Sequence, residues 1–385
     1  MLKGVCGIDV DRDRTFISFA SLRKFRLNFL QEIEVEIPCE DRNFLAYFRK
    51  NCDVFNQKIR EKEKEYSLRI EKVFLNLPWD LANISVAEEI IPLKKRKKID
   101  RKDLAFVKKY FEDVFLAWDD FCLHHFILNY EIEGSIYKDP PLGVWAKKIK
   151  LKSHLVWIKD ELRKNIEDTF DNLDRRFGGL VFTGASIFFT SFTDCGGQET
   201  KIVVSAGYEG SRIVVYSQGS IDFGGEYDFG SRKIVQALGK EFSLNPSMAE
   251  EIFIRHVSFE EIPYPKEISI KDGESYINLS THTLNSFVKN YIRNEVSIML
   301  QQIKEKAGKD SFSISFIGRL SKKKGFYKFL KDFIPSNVEV VLPLIRTISS
   351  SFGCLNYGMF RFWERDYKEK ESVPGRILNI YREYF

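Results

Sequence analysis

The stretch His125-Phe126-Ile127-Leu128-Asn129-Tyr130-Glu131-Ile132-Glu133-Gly134 continues through Lys138-Asp139-Pro140-Pro141-Leu142-Gly143-Val144-Trp145 and closes on Lys150-Leu151-Lys152-Ser153-His154-Leu155-Val156. Its apolar-rich runs, within 122–133 and 145–158, read as strands. Between them, Gly134 and Gly143 bracket Asp139-Pro140-Pro141. Proline fixes φ and removes a backbone donor, and glycine tolerates a left-handed backbone, so this segment reads as a turn. Upstream, Asp100 is placed to cap a helix over 101–116, and downstream 160–174 reads as a charged amphipathic helix.

Toward the N-terminus, 4–22, 25–37 and 70–77 read as strands, as in Lys72-Val73-Phe74-Leu75-Asn76-Leu77. A helix over 41–65 starts at Asp41 and ends in Arg60-Glu61-Lys62-Glu63-Lys64-Glu65, giving a β-β-α-β opening. The run Lys94-Lys95-Arg96-Lys97-Lys98 reads as a solvated segment rather than a nucleic-acid signal. Toward the C-terminus, the block 179–223 alternates short apolar runs with glycines, and 201–204, 212–216 and 219–223 read as a β-meander. Helices follow at about 228–241, 246–255 and 283–307, then a strand over 312–317 ending at Gly318, a helix at 323–332 and a strand at 338–341. Two β-rich segments, 4–37 and 201–223, therefore open two halves of one βββα type, each with a polar turn between its first two strands.

Composition narrows the function classes. With 385 residues, 44% of them hydrophobic, the chain is no disordered polymer and has the length of two to three domains. A net charge of +5 from 60 basic and 55 acidic residues is too weak a bias to imply nucleic-acid binding, so no nucleic acid is expected as a partner. No stretch of ~18 apolar residues is present, and Met1-Leu2-Lys3-Gly4-Val5 lacks the run of a signal peptide, so the chain is expected in the cytoplasm. The six cysteines (Cys6, Cys39, Cys52, Cys122, Cys195, Cys354) stand singly without metal-ligand spacing and read as reduced thiols.

The duplicated layout resembles that of the actin/Hsp70/sugar-kinase superfamily, where two such turns clamp nucleotide phosphates through backbone N–H groups. Within it, the stretch quoted first resembles the FtsA family of bacterial cell-division proteins. That family's pattern is roughly h-x-h-p-x-x-Y-x-h-D-G … I-x-D-P-h-G-h-x-G-x-x-L-x-h-x-x-H-h-V, with h apolar. The chain keeps the Tyr, Gly, Asp-Pro, Gly, Leu, His and Val in order, with one inserted proline and Ala146 or a neighbour in place of the second glycine. The pilus family PilM is similar in this stretch. Phe223-Gly224-Gly225-Glu226 resembles the family's G-G-[DE], which opens a helix after the meander. Pro246-Ser247-Met248-Ala249-Glu250-Glu251, Phe316-Ile317-Gly318-Arg319 and Ser351-Phe352-Gly353-Cys354-Leu355-Asn356-Tyr357-Gly358 resemble later family segments. The resemblance spans nearly the whole chain at low identity.

It implies a two-lobed α/β fold of the actin/Hsp70 (RNase H-like) type with an FtsA-type 1C subdomain and a C-terminal amphipathic helix. Subdomain 1A would cover 1–92 and 161–195, 1C 93–160, 2A 196–225 and 308–345, and 2B 226–307, with 346–363 returning to 1A, a linker at 364–372 and a membrane-targeting helix at 373–385. ATP with Mg2+ is the implied ligand, held by Asp9, Asp11, Arg12, Gly207, Gly210, Ser211, Gly224, Gly225, Glu226, Glu250, Gly318 and Arg319, with Asp9 toward the metal. The phosphate turns depart from the family. Asp11 replaces a glycine in Asp9-Val10-Asp11-Arg12. In Ser205-Ala206-Gly207-Tyr208-Glu209-Gly210-Ser211, Ser205 replaces an aspartate and Tyr208 and Glu209 replace glycines. Phe253 takes a lysine position and Arg319 the second adenosine glycine. Bulky residues deny close backbone approach to phosphate, so at most a weak ATPase is expected.

The tail carries its own pattern. After Pro374-Gly375, Ile377, Ile380, Tyr381 and Tyr384 recur at i, i+3, i+4 and i+7, flanked by Leu378 and Phe385. One apolar stripe with aromatic ends suits an interfacial anchor. The resemblance further implies that 2B binds the C-terminal peptide of the tubulin-like protein FtsZ, with Lys289 and Arg293 one turn apart on a helix facing its carboxylates. It implies self-assembly into filaments, later division proteins on 1C, and a location at the septum on the inner face of the membrane. The resulting expectation is a tether joining FtsZ filaments to the membrane, with ATP as a conformational or polymerisation ligand. A PilM-like pilus scaffold and a sugar or acid kinase of the same superfamily are the alternatives.

Overall fold

The computed structural model describes residues 2–11, 14–23, 26–37, 43–171, 176–192, 199–217, 220–261, 264, 266–272, 275–308 and 310–369, the side chains of 11, 220–224, 271, 272, 275, 306, 307 and 362–369 excepted. The first half runs β1 (Leu2–Asp11), β2 (Arg14–Arg23), β3 (Arg26–Val35), α1 (Phe44–Glu65) and β4 (Leu68–Leu77). An insertion follows, made of β5 (Asn83–Lys98), α2 (Arg101–Phe115), β6 (Asp120–Ile132), β7 (Ser135–Tyr137) and β8 (Trp145–Lys159); α3 (Asp160–Asp171), β9 (Phe177–Phe182) and α4 (Thr183–Ser191) then complete the half. The second half runs β10 (Thr200–Ala206), β11 (Ser211–Ser217), β12 (Ser220–Tyr227), α5 (Ser231–Glu241), α6 (Pro246–His256), β13 (Glu267–Asp272), β14 (Ser275–Ser280), α7 (Thr281–Ala307), β15 (Phe312–Gly318), α8 (Phe326–Phe333) and β16 (Val338–Val340). Helix α9 (Ser351–Glu369) returns to the first half.

The two main sheets repeat one topology: β3-β2-β1-β4-β9 and β12-β11-β10-β15-β16. In each, an antiparallel meander is followed by parallel strands reached through crossovers. The insertion forms a separate antiparallel sheet, β5-β8-β6-β7. One core joins both halves. Val203, Val214, Tyr216 and Ile317 of the second half pack into the cluster of Phe19, Phe74, Phe182 and Phe188. Helix α4 is buried on every side and crosses α9 so closely that a Cβ on Gly353 would lie 1.7 Å from the Ser186 carbonyl oxygen. Only glycine admits that approach.

Several sequence expectations change. The run 4–22 is two strands, β1 and β2, which pair as a hairpin. The basic run 94–98 is the end of strand β5, which begins at Asn83. The glycine-rich block from 179 contains helix α4, not only a meander. Gly224 and Gly225 lie within strand β12, opposite Val214 and Ile213, and the helix opens later, at Ser231. The linker expected at 364–372 is helical as far as Glu369. The tail residues Ile377, Leu378, Ile380, Tyr381, Tyr384 and Phe385 lie outside the described residues, as do Arg12, Cys39 and Cys195. Cys52, Cys122 and Cys354 are free thiols.

Candidate functional site

The β1–β2 and β10–β11 hairpins face each other across a cleft between the halves. It holds a cavity of about 400 Å³ lined by Asp9, Arg14, Gly207, Tyr208, Glu226 and Arg319, among others. That is the size of a small-molecule site.

Asp9 stands on β1, with both carboxylate oxygens engaged. Oδ1 accepts from Asn76 Nδ2 at 2.7 Å, and Oδ2 accepts from the Ser350 amide at 2.9 Å and its hydroxyl at 2.8 Å. Asn76 is itself buried, donates to Ser350 Oγ at 3.1 Å and accepts from the Ser186 hydroxyl at 2.7 Å. The carboxylate thus ties β1 and β4 to the segment that enters α9. Among the described residues no group of three or more His, Cys, Asp or Glu is arranged to hold a metal ion.

The second hairpin closes on itself. The Gly207 amide donates to Gly210 O at 2.9 Å. The Ser211 hydroxyl donates to Phe229 O. The first amides of α5, at Ser231 and Arg232, donate to Gly207 O and Tyr208 O at 3.0 and 2.9 Å. The Gly207 amide and the Ser211 hydroxyl, both expected to face a phosphate, therefore bond within the chain. Gly318 is held at φ +110, where an added Cβ would stand 2.1 Å from Ala206 O. Its carbonyl accepts from the Ser321 hydroxyl at 2.7 Å.

Beside the turn of the first hairpin, side chains of both halves meet. Arg14 of β2 pairs with Glu34 of β3, and Arg319 from the second half reaches the same carboxylate at 3.1 Å. Arg14 also lies 3.9 Å from Glu250 of α6. Burial alone would lower the Arg14 pKa, but the hydrogen bond and charge of Glu34, with Glu36 and Glu250, outweigh it and raise it. Glu32, two residues before Glu34, has a side chain only 3% exposed. It accepts from the Ile348 amide at 2.7 Å and from the Ser349 amide and hydroxyl at 3.1 and 2.9 Å, and lies 3.3 Å from Lys322. At the second hairpin, Arg232 pairs with Glu209 at 2.8 Å and Arg212 with Glu226 at 3.5 Å.

The structure thus brings Asp9, Gly207, Gly210, Ser211, Glu226 and Arg319 to one cleft, with Glu250 at its edge. Two equivalent hairpins frame the cleft, and its side chains, as they stand, do not leave room for a triphosphate between them. The Gly207 amide and the Ser211 hydroxyl bond within the chain, and the Arg14–Glu34–Arg319 ion pairs span the cleft beside the hairpin turns. Sequence reasoning missed Arg14, Glu32, Glu34 and Asn76. The alternating Glu32-Ile33-Glu34-Val35-Glu36 was the available signal, since it puts three carboxylates on one face of a strand.

Lys289 and Arg293 lie on α7, away from the cleft. The Arg293 guanidinium sits 5.9 and 5.8 Å from the ring centroids of Phe329 and Phe333 on α8 and donates to Asn290 at 3.2 Å. Among the described residues no helix is long and apolar enough to cross a membrane.

No protein-family model matches the chain. It is similar to the cell division protein FtsA of Buchnera aphidicola, with 20% identity over 357 residues that cover 86% of this chain and 85% of that protein. FtsA of Escherichia coli is 22% identical over 200 residues, 51% of this chain and 47% of that protein. Among solved structures, a PilM-PilN type IV pilus biogenesis complex matches with a TM-score of 0.54 at 12% identity, covering 92% of this chain and 98% of the other. The ethanolamine utilization protein EutJ of Carboxydothermus hydrogenoformans matches at 0.51 and 10%, covering 92% and 89%. At such identities the structures establish the fold alone. The chain has the two-lobed actin-like ATPase fold and is a divergent, FtsA-like sequence.

Proposed function

We propose that this chain is an actin-like protein of cell division that links FtsZ filaments to the inner face of the cytoplasmic membrane and helps to assemble the divisome. The observation that carries this reading is the similarity to FtsA along 86% of the chain. The insertion β5–β8 is consistent with a 1C-type subdomain that later division proteins contact.

In this reading the segment with Ile377, Leu378, Ile380, Tyr381, Tyr384 and Phe385 inserts at the lipid interface. Only Arg376 and Arg382 add favourable charge there, at ~1 kcal/mol each, so one tail binds weakly. Self-assembly into filaments supplies avidity. The acidic, apolar C-terminal peptide of FtsZ docks on α7, where Arg293 is preoriented by two phenylalanines and Lys289 lies one turn back. ATP with Mg2+ would act as a conformational or polymerisation ligand, entering the cleft by displacing the pairs that bridge it. No hydrolytic step is assigned.

The reading is tested by titrating the FtsZ C-terminal peptide into the full chain and into Arg293→Glu. Binding by the parent, its loss in the variant and an unchanged melting temperature are expected. Full binding by the variant rejects the site. For the cleft, calorimetric titration with ATP and Mg2+ is expected to give heat and a thermal shift that grow when Glu34→Gln removes the bridging carboxylate. No heat with either protein rejects nucleotide as a ligand. A second reading, a PilM-like scaffold that holds a short peptide of a pilus membrane protein, is supported by the match to PilM across 98% of that chain.

A further inference from the structure

The outer layer of the insertion is α2. Its inner face packs Val107 and Phe111 against Ile149, Leu151 and Leu155 of β8. Its outer face carries Lys102, Lys109 and Asp113, but large apolar side chains are exposed beside them. Phe106 is 50% exposed, Tyr110 38% and Val114 48%. At i, i+4 and i+8 they form one stripe along the helix. Trp118, just past the C-terminal end, is 97% exposed and prolongs it. An exposed apolar stripe on an already packed helix is a mark of an interaction surface.

The charge around the stripe is one-sided. Residues 94–110 contain nine basic and two acidic side chains. Both acids are spent: Asp100 and Asp103 form the capping box of α2, and Asp103 also pairs with Lys97 at 2.6 Å. Arg101, Lys102 and Lys109 are exposed on the helix, as are Lys94, Lys95, Arg96 and Lys98 on the strand leading into it. Lys98 lies 6.0 Å from the ring of the half-exposed Trp145. Asp113 is an exposed acid within the stripe.

We propose that this face of the insertion is a membrane contact in its own right, binding anionic bilayers. Phe106, Tyr110, Val114 and Trp118 would lie at the headgroup boundary, with the basic run among the lipid phosphates. Tryptophan and tyrosine favour that depth, and lysine and arginine draw in anionic headgroups. A nucleic acid is the other polyanion to consider. It would need a groove along which bases stack, whereas the stripe is a convex helix face with an aliphatic valine in line. The contact stands on α2 and β5 alone. It deepens the tether reading by giving each subunit a second membrane foothold beside the tail.

The test is co-flotation of the full-length chain with vesicles of phosphatidylcholine alone or with phosphatidylglycerol. Three variants are compared: a tail variant (Ile380→Glu with Tyr384→Glu), a face variant (Phe106→Ser with Trp118→Ser) and both combined. The substituted face residues are exposed, and equal melting temperatures confirm folding. If Phe106→Ser lowers the melting temperature, Trp118→Ser alone carries the test. The tail variant is expected to keep salt-sensitive binding to the anionic vesicles only. The combined variant is expected to lose at least fivefold of that bound fraction. In parallel, brominated lipid should quench the parent's fluorescence more than that of Trp118→Phe. Complete loss of binding in the tail variant overturns the proposal and leaves the tether reading intact. Residual binding indifferent to the face substitutions overturns it too. So does a face variant that loses binding to a labelled oligonucleotide but not to vesicles.

Discussion

Asp9 illustrates how single side chains decide what the cleft can do. Its oxygens accept from Asn76 and Ser350, so the acid braces β1 against the entry to α9. Asn76→Ala would take its acceptor from the buried Ser186 hydroxyl and one donor from the half-buried Asp9. A loss of ~2–3 kcal/mol in chemical unfolding is expected, and a loss below ~0.5 kcal/mol would contradict the brace. The Arg319–Glu34 pair, with side chains 15% and 25% exposed, should show a coupling of about 1 kcal/mol in a double-mutant cycle. Lys323 supplies a pH signature. Burial, and then Arg319, lower its pKa from 10.5 to about 8, while its ammonium donates to the Phe253 and Ile254 carbonyls at 2.5 and 2.6 Å. Between those values the unfolded state binds more protons than the folded one, so stability owed to this group rises with pH across that window. The parent should therefore gain on Lys323→Met between pH about 7.5 and about 10, read from denaturant midpoints at both. A difference that does not change with pH contradicts the assignment.

At the scale of elements, the hairpins and crossovers carry the site. Gly318 ends β15 at φ +110 beside Ala206 O, so Gly318→Ala meets both backbone strain and a clash. A loss of ~3 kcal/mol or more is expected by thermal or denaturant unfolding. The strands 122–133 and 145–158, the capped helix at 101 and the meander from 201 were legible because their periodicity and turn residues agree with their burial. Other elements were hidden for physical reasons. Helix α4 is buried on all sides and so shows no 3.6-residue alternation. The end of β5 is an exposed basic run whose strand character comes from pairing with β8, as Lys97 with Ala146 and Lys98 with Trp145. The bridging pair of Glu34 and Arg319 joins residues 285 positions apart; the alternation at 32–36 marks its acid, but no local pattern announces its partner.

At the scale of the molecule, the repeat of one sheet topology, visible as two βββα openings in the sequence, fixes the two-lobed architecture and places the cleft between equivalent hairpins. What the sequence could not disclose is that this cleft is bridged from both sides. The tether reading turns on linking two partners at once, so the most direct measurement is recruitment. FtsZ filaments of the same cell are mixed with anionic vesicles and floated with the full chain, with the Arg293→Glu variant, and without either. The account predicts FtsZ in the vesicle fraction with the parent chain and not in the other two mixtures. A chain that floats by itself while FtsZ stays behind would contradict the tether and turn attention to a pilus-type scaffold.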